Sequence, residues 1–304
     1  MSILVIGSFM MDFVARTSRV PKRGETVIGN HFARYPGGKG ANQAVAAARL
    51  GGDVTMVGTV GNDSFGNEMI AILEQEGICT KYISKSKTAA TGAGLITIDE
   101  NGDNQIIVVP GANLEFSPKN IKTLEELIRA ADLLILQLEI NISTVETCVE
   151  YAKSAQVPIL LNPAPAQSLS IDLLKKITLL TPNETEAELL TGISTEDITG
   201  AEMAVARLLD QGVSQVVMTL GEKGVIIGNR SEIRHLSGYG VQSVDTVAAG
   251  DAFNGALAVA LIHGKSLEAA VQFAQAAGAL ATTKSGAIPS LPTLEAVSSF
   301  LDLQ

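Results

Sequence analysis

The segment "SVDTVAAGDAFNGALAVAL", residues 243–261, places three small residues directly before an acid and a long apolar helix pattern. The start of a helix exposes unpaired backbone N–H groups and the positive end of the macrodipole, which together bind anions. Because Ala248, Ala249 and Gly250 lack bulk, a phosphoryl group could approach those N–H groups. Asp251 would then lie where it could deprotonate a hydroxyl group. The residues equally fit a tight strand-to-helix turn in which the acid only stabilises the helix dipole.

The segment "YPGGKGANQAVAAARLGG", residues 35–52, is a second candidate for ligand binding. Gly38 and Gly40 permit a close approach to the backbone, and Lys39 adds a compact positive charge. Asn42 can both donate and accept hydrogen bonds at the start of the helix. The segment is not a P-loop, because that pattern requires Ser or Thr after Gly-Lys and here Gly40 follows Lys39. It fits a ligand rich in hydroxyl groups, and an ordinary turn with a helix cap is the alternative.

Four further polar residues follow predicted strands, at the end where the ligands of parallel sheets collect. Asp12 and Glu139 come after "ILVIG" and "LLILQL", and both carboxylates can accept hydrogen bonds from hydroxyl groups. Asn183 and Glu186, in "TPNETEAELLTG", have the spacing of a capping box. Helix capping and contact with a metal ion or a phosphate are both open for this pair.

Composition and charge argue against several classes of protein. The chain has 304 residues, a formal net charge of −10 and a pI near 4.9, so it lacks the basic surface that binds DNA or RNA. No apolar run reaches the length of about 18 residues that spans a bilayer, and "MSILVIGS" lacks the basic start of a signal peptide. The two cysteines and three histidines do not cluster, which argues against a zinc site. We therefore expect a cytoplasmic protein without nucleic-acid or membrane partners.

Apolar strand-like runs alternate with amphipathic helix patterns along most of the chain. The runs are apolar on both faces, as strands buried in a parallel sheet must be. They are "ILVIG", "VTMVGTV", "LLILQL", "VPILLN", "ITLLTPN" and "VSQVVMTLG", and helix patterns such as "GANQAVAAARLGG" and "GAEMAVARLLDQG" lie between them. This alternation predicts an α/β fold with an open, mostly parallel sheet wrapped by helices, formed by residues 1–304 as one domain.

Two regions interrupt this alternation. Residues 13–36 carry strand-like residues, charges and turn signals without a helical period, and residues 91–110 fit two strands joined at Asn101-Gly102. We expect these regions to form a small β lid over the strand ends, and a pair of edge hairpins without a function is the alternative. Further along the chain we expect a hairpin that turns at residues 221–224, short strands in "SEIRHLSGY" and "VQSVDT", and a helical tail.

Together these segments resemble the ribokinase-like carbohydrate kinases over essentially the whole chain. "GGKGANQAVAAARLG" is similar to the first signature of that family and "VDTVAAGDAFNGAL" to the second. "QLE", "NPAP", "PNETEAELLTG" and "TLGEKG" lie between them in the order expected for the family. The resemblance implies transfer of a phosphoryl group from ATP to a sugar hydroxyl, with the 5-hydroxyl of D-ribose as the expected acceptor.

The resemblance also implies roles for individual residues. Asp251 would take the proton of the sugar hydroxyl, while the N–H groups of Ala248, Ala249 and Gly250 stabilise charge on the transferring phosphoryl group. The sugar would lie against Met10, Asp12, Gly38, Lys39, Gly40, Asn42 and Glu139. ATP would lie along Asn183, Thr219, Gly221, Gly224, Gly250 and Gln275, with Mg²⁺ and its waters organised by Glu186. A monovalent cation, usually K⁺, would take oxygen atoms from Asp245, Val247, Ala281, Lys284, Gly286 and Ser290.

Met10 departs from the family pattern, because many ribose kinases of the family carry Asn at this position. A thioether cannot donate a hydrogen bond to a sugar hydroxyl, so 2-deoxy-D-ribose is an alternative substrate, unless Met10 only packs under the sugar.

A catalytically silent sugar or nucleotide sensor would keep the fold, but a sensor needs no base such as Asp251. A nicotinamide-dependent oxidoreductase would carry Gly-x-Gly-x-x-Gly where "GSFMMD" stands. The resemblance further implies that the small β lid closes over the sugar and pairs with its copy in a homodimer.

Overall fold

Residues 1–303, which the computed structural model describes, form a main sheet of nine strands and a smaller sheet of four. The strands of the main sheet are β1 (Ser2–Ile6), β4 (Asp53–Gly61), β5 (Cys79–Ser86), β8 (Leu133–Leu136), β9 (Ile159–Leu161), β10 (Leu179–Leu180), β11 (Gln215–Thr219), β12 (Val225–Asn229) and β13 (Ile233–Leu236). They lie in the order β13-β12-β11-β10-β9-β8-β1-β4-β5. The pairs from β11 to β5 are parallel, and β12 and β13 are antiparallel at one edge. The predicted open, mostly parallel sheet is confirmed.

The smaller sheet consists of β2 (Met10–Arg16), β3 (His31–Gly37), β6 (Gly92–Ile98) and β7 (Asn104–Val109). Its order is β3-β2-β6-β7, with β2 and β6 parallel and the other pairs antiparallel. The two irregular regions of the sequence therefore supply two strands each, although the first strand begins earlier than predicted. The hairpin turn between β6 and β7 has Gly102 at φ +86°, as an Asn-Gly turn requires.

Eleven α-helices lie between these strands or after the last of them within residues 1–303. They are α1 (Lys39–Arg49), α2 (Ser64–Gln75), α3 (Pro118–Lys122), α4 (Glu125–Arg129), α5 (Ile142–Ser154), α6 (Ile171–Leu174), α7 (Glu184–Thr191), α8 (Ile198–Asp210), α9 (Ala249–Ile262), α10 (Leu267–Ala281) and α11 (Leu294–Leu301). None of the helices within this range is long and apolar enough to cross a membrane.

Two hydrophobic cores lie on opposite faces of the main sheet. Alternate residues of β1 point to different cores, because successive side chains of a strand face opposite sides. Ile3 and Val5 pack with apolar residues of α1, α9 and α10, whereas Leu4 and Ile6 pack with those of α5 and α8. Helices on both faces explain why the parallel strands are apolar throughout.

The apolar runs correctly predicted six strands of the main sheet, and the β11-β12 hairpin is also present. The prediction of a strand in "VQSVDT", residues 241–246, was wrong, because this segment is a loop. The N–H groups of Val244 and Asp245 both donate to the carbonyl of Thr282, at 2.7 and 3.1 Å, so they do not form a strand ladder. The edge strand β5 was not predicted, since its sequence "CTKYISKS" mixes polar and charged residues with few apolar ones.

Helices α1 and α9 pack closely, and their contact brings distant parts of the sequence together. Gly255 permits this approach, because a Cβ atom at this position would lie 2.6 Å from the Cβ atom of Ala46 and 2.8 Å from the backbone nitrogen of Ala47. Any larger residue would force the helices apart. As a result, Asn42 and Gln43 of α1 reach the first turn of α9.

Candidate active site

The start of α9 presents free backbone donors to open space. The N-cap residue of α9, Ala248, has a left-handed backbone conformation with φ +61°, which is uncommon for a residue other than glycine. Of the three predicted donors, the N–H groups of Ala248 and Gly250 have no hydrogen-bond acceptor among residues 1–303, and neither has that of Asp251. The N–H group of Ala249 is not free as predicted, because it donates to the carbonyl of Thr246 at 3.3 Å. A Cβ atom on Gly250 would meet nothing within 4 Å, and Gly250 is exposed, so this residue borders open space. These features are those of an anion site at a helix start.

The Asp251 carboxylate is buried behind this helix start, with 6% of the residue exposed. Its Oδ2 atom accepts a hydrogen bond from Asn42 Nδ2 at 2.8 Å, and its Oδ1 atom accepts one from Gln43 Nε2 at 2.9 Å. The structure thus joins the two sequence segments that were singled out for their chemistry. Because each carboxylate oxygen has a second acceptor site, Asp251 can still receive a proton.

The turn that leads into α1 is fixed by contacts with the connection between β1 and β2 and with the segment that follows β8. Gly38 has φ +92°, and a Cβ atom there would lie 2.7 Å from the backbone nitrogen of Met10. The N–H group of Lys39 donates to Glu139 Oε2 at 2.9 Å, and the hydroxyl of Ser8 donates to the same oxygen. The Oε1 atom of Glu139 accepts no hydrogen bond among residues 1–303, so it is available to a ligand.

An unpaired buried oxygen indicates where a ligand would bind. The Oδ1 atom of Asn42 is buried and has no hydrogen-bond partner in the described part of the chain. It lies 3.6 Å from the position that a Cβ atom on Gly37 would occupy, and Asp12 Oδ2 lies 3.3 Å from the same position. Because buried polar atoms are normally satisfied, these neighbouring oxygens fit a ligand that donates from hydroxyl groups.

Lys39 lies among four carboxylates of the candidate site. Burial lowers the pKa of Lys39, but four nearby carboxylates outweigh this effect and raise the pKa above its ordinary value; they belong to Asp251, Glu139, Glu186 and Asp12. Within residues 1–303, the ammonium group forms no ion pair at 4.0 Å or less with any of them. Lys39 therefore stays charged and free to contact an anion.

Asp12 and Met10 lie on the same face of β2, since they are alternate residues of one strand. Burial and the Glu139 charge raise the pKa of Asp12, Lys39 lowers it, and Asp251 raises it further, to about 6. Asp12 is consequently a hydrogen-bond acceptor near neutral pH and becomes a donor as the pH falls through 6. Met10 is 4% exposed and offers no donor beside it.

A cleft of about 840 Å³ lies on the other side of the α9 start. Its volume falls within the usual range for sites that bind small molecules. Five of the six predicted cofactor residues line it, namely Thr219, Gly221, Gly224, Gly250 and Gln275. Apolar surface comes from Val225, Tyr239 and Phe253. The sixth residue, Asn183, is not among the lining residues but pairs with Thr219 through an isolated parallel bridge.

Asn183 and Glu186 form the capping box that their spacing predicts. Glu186 N–H donates to Asn183 Oδ1 at 2.8 Å, and Asn183 N–H donates to Glu186 Oε2 at 2.9 Å. Burial raises the pKa of Glu186 above its ordinary value, although the Asn183 N–H group and the Lys39 charge oppose this effect. Helix capping is therefore present, and it does not exclude a further contact from the carboxylate.

Two segments that carry the predicted monovalent-cation ligands lie side by side. Asp245 Oδ2 accepts from the N–H group of Gly286 at 3.0 Å, which joins residues 244–247 to residues 281–290. Five backbone carbonyls in these segments accept no hydrogen bond from residues 1–303, namely those of Asp245, Val247, Lys284, Gly286 and Ser290. The carbonyl of Ala281 accepts only one, from the N–H group of Lys284 at 3.4 Å. Unpaired carbonyls of this kind suit a hard cation. In the same range, no three His, Cys, Asp or Glu side chains are grouped to hold a metal ion.

Buried polar residues that support the site and were not predicted from the sequence include Ser8, Gln43 and Asn113. Asn113 accepts from Phe9 N–H at 2.9 Å and donates to the carbonyls of Phe9 and Pro110, at 2.8 and 2.9 Å. It thereby joins the start of β2 to the end of β7. For Gln43 the available signal was a polar residue between Asn42 and a run of alanines, on a helix that must bury most of its surface.

Comparison with known proteins assigns the whole chain to one group. The family model described as pfkB family carbohydrate kinase matches residues 1–294. A ribokinase of Haemophilus influenzae is 42% identical over 99% of this chain and 98% of its own length. A deoxyribokinase of Salmonella typhi is 38% identical over 100% of this chain and 99% of its own length. The structure of an Arabidopsis thaliana ribokinase complexed with ribose and ATP has a TM-score of 0.92 and 35% identity, with 99% of each chain covered.

The Asp251→Asn variant tests the buried carboxylate directly. Asparagine has the same shape but cannot take up a proton at neutral pH, so we expect kcat for ATP-dependent sugar phosphorylation to fall by about 10²–10⁴-fold. The Kd for ATP, measured by titration calorimetry, should not change, because the cleft is intact. Asp172→Asn, at an aspartate whose side chain is 86% exposed on α6, is the matched control and should keep the wild-type kcat. Near-normal turnover of Asp251→Asn would rule out Asp251 as the base.

Proposed function

This chain belongs to the pfkB family of carbohydrate kinases, and we propose that it transfers the γ-phosphoryl group of ATP to the 5-hydroxyl of D-ribose. The observation that carries the proposal is the position of the Asp251 carboxylate. Asp251 lies in the first turn of α9, where N–H groups are free, and its carboxylate accepts a hydrogen bond from Asn42, whose Oδ1 atom is unpaired. The similarity to a ribokinase solved with ribose and ATP supports the choice of both substrates.

The transfer would proceed by a single displacement at phosphorus. As the 5-hydroxyl oxygen forms a bond to the γ-phosphorus, its proton moves to a free acceptor site of Asp251. The bond between the γ-phosphorus and the bridging oxygen breaks, and its electron pair leaves with ADP. Reactions of this type depend mainly on positioning and on charge stabilisation, which the buried carboxylate and the helix start would supply.

Negative charge on the transferring group would be stabilised by the helix start and by Lys39. The unpaired N–H groups of Ala248 and Gly250 and the positive end of the α9 dipole face the open space. Mg²⁺ bound with ATP would neutralise further phosphate charge. Glu186 fits contacts with the waters of such an ion, because each of its oxygens is bonded to Asn183 yet keeps another acceptor site.

Asp12, Asn42 and Glu139 supply the oxygens that would bind the sugar hydroxyls. The deoxyribokinase relative and the apolar Met10 favour 2-deoxy-D-ribose as a second candidate substrate. A site that lacks one donor loses less when the substrate lacks the matching hydroxyl. We favour D-ribose, with Met10 packed under the sugar ring.

A monovalent cation beside the helix start is a further part of the proposal. The unpaired carbonyls of residues 245–247 and 284–290 are the observation that supports it. Bound there, K⁺ would add positive charge near the start of α9 and hold together the loops that flank it.

The small sheet supports a proposal of a homodimer. It also carries Met10 and Asp12, so it would cover the bound sugar. All six residues of β7 are exposed, although four of them, Ile106, Ile107, Val108 and Val109, are apolar. An exposed apolar edge strand invites pairing with another chain, and a second copy of this chain would satisfy it with two-fold symmetry.

Sugar preference is tested by kcat/KM for ADP formation from Mg-ATP and K⁺ with D-ribose, 2-deoxy-D-ribose, D-fructose and adenosine. We expect the highest value with D-ribose. Met10→Asn should shift the ratio of ribose to 2-deoxyribose further toward ribose by about tenfold, because the amide can donate to the 2-hydroxyl. Met10→Leu adds no donor and is the control. An unmoved ratio in Met10→Asn would show that position 10 does not discriminate between the sugars.

In the same assay, a lead for 2-deoxyribose in the wild-type enzyme would favour the second candidate. An absence of turnover with every sugar would favour a silent sensor.

Replacing K⁺ with tetramethylammonium at constant ionic strength tests the monovalent site. The organic cation is too large to be bound by backbone carbonyls, so we expect kcat to fall severalfold and to recover when K⁺ is restored. Measuring Mg-ATP affinity in both buffers controls for a general effect on nucleotide binding. An equal kcat in both buffers would show that a monovalent cation has no role in turnover.

Sedimentation of the Ile107→Lys variant tests the proposed dimer. Ile107 is 63% exposed on β7, and a charge there would oppose pairing of the apolar strand. We expect the wild-type protein to sediment as a dimer and the variant as a monomer. Ile171→Lys, at an isoleucine 52% exposed on α6, is the matched control and should stay dimeric. A dimeric Ile107→Lys variant would place the interface elsewhere.

A further inference from the structure

A chain of buried polar side chains leads from the main sheet to Asp251. Gln137 donates from Nε2 to Gln43 Oε1 at 2.7 Å, and Gln43 Nε2 donates to Asn162 Oδ1 at 3.1 Å and to Asp251 Oδ1 at 2.9 Å. Gln43 and Gln137 have no exposed surface, and Asn162 is 7% exposed. Buried amides are costly unless they are satisfied, so this arrangement calls for a specific role.

The orientation of the Gln43 amide is fixed by the backbone carbonyl of Thr181, to which it is linked by two successive hydrogen bonds through Asn162. The carbonyl of Thr181 can only accept, so Asn162 must turn its Nδ2 atom toward it, at 3.1 Å. Asn162 Oδ1 then faces Gln43 and requires a donor there. Gln43 must therefore present its Nε2 hydrogens to both Asn162 and Asp251. The reversed amide would set its oxygen against the Asp251 carboxylate.

A second branch of the chain reaches the backbone that carries Asp251. The hydroxyl of Thr181 donates to Asn254 Oδ1 at 2.6 Å, and Asn254 Nδ2 donates to the carbonyl of Gly250 at 2.8 Å. Gly250 directly precedes Asp251. Hydrogen bonds therefore connect both the Gly250 carbonyl and the Asp251 carboxylate to residues at the ends of the strands. One hydrogen-bond network thus fixes the position of the Asp251 carboxylate relative to the free N–H groups at the start of α9.

We propose that Gln43 is a positioning residue for Asp251 and that Asn162 sets the direction of the Gln43 amide. With one amide hydrogen on each oxygen, from Asn42 and Gln43, the carboxylate cannot rotate, and its remaining acceptor sites keep a fixed direction. Because Gln43 is fully buried, it touches neither substrate. This inference rests on the proposed function, since it assumes that Asp251 takes the hydroxyl proton.

Gln43→Met and Gln137→Met form a matched pair of tests. Each removes one buried amide from the same chain, but only Gln43 contacts Asp251. For Gln43→Met we expect kcat to fall by about 10-fold to 100-fold, which corresponds to the loss of one hydrogen bond to a charged group. The KM values for ATP and sugar should not change. Gln137→Met should lose comparable stability in urea unfolding yet keep most of its kcat.

A structural role alone would affect both variants alike, so equal loss of kcat in the two, or a wild-type kcat in Gln43→Met, would overturn the proposal. If Gln43→Met does not fold, Asn162→Leu keeps Gln43 and removes the acceptor that directs it, together with the donor to the Thr181 carbonyl. For this variant kcat should fall with KM unchanged, and an unchanged kcat would contradict the proposal.

Turnover by the wild-type enzyme separates this inference from the proposed function. If the wild-type chain phosphorylates no sugar, the function fails, and crystal structures of the wild type and Gln43→Met then decide the inference. We expect the Asp251 carboxylate to rotate away from Asn42 in the variant. An unmoved carboxylate would overturn the positioning role.

Discussion

Two amide hydrogens from adjacent residues of α1 meet the two oxygens of one carboxylate more than 200 residues later in the chain. This contact between Asn42, Gln43 and Asp251 constrains much of the surrounding structure. Helices α1 and α9 must pack without a side chain at Gly255, and α1 must start against the end of β1. The strand ends also contribute, because Gln137, Asn162 and Thr181, which bond to these amides or direct them, directly follow β8, β9 and β10. A buried carboxylate held in this way can face both a hydroxyl group and a phosphoryl group.

The charges of the site explain why it would need a nucleotide accompanied by cations. Four carboxylates surround one ammonium group, so a free polyanion would meet net repulsion. The helix start and Lys39 offset part of this charge, and a divalent ion on the phosphates would offset more. The same crowding has a second effect on Asp12, whose pKa is raised to about 6 by burial and by neighbouring acids. Asp12, a proposed acceptor for a sugar hydroxyl, therefore loses its charge as the pH falls through about 6.

The sequence predicted the main sheet well, because parallel strands buried on both faces are apolar throughout. It predicted the hairpin from Asn101-Gly102 for an equally local reason, the backbone demand of a tight turn. The local pattern failed for residues 241–246, because the N–H groups of Val244 and Asp245 donate to the carbonyl of Thr282, just after α10 and far away in the sequence. It failed also for Gln43 and Asn113, because a buried amide in a single sequence looks like any polar residue until its partners are known. The residues expected to act together, such as Asn42 and Asp251, do meet, yet the sequence could not indicate that they bond to each other.

Phosphorus NMR of the reaction products tests the central claim most directly. The enzyme would be incubated with D-ribose, Mg-ATP and K⁺, and the new phosphate ester identified by its coupling to the sugar protons. The account predicts one phosphate ester on C5 of the sugar for each ADP formed. ADP with inorganic phosphate instead of a sugar ester, or an ester at another carbon, would contradict the assignment of Asp251 as the base that activates the 5-hydroxyl.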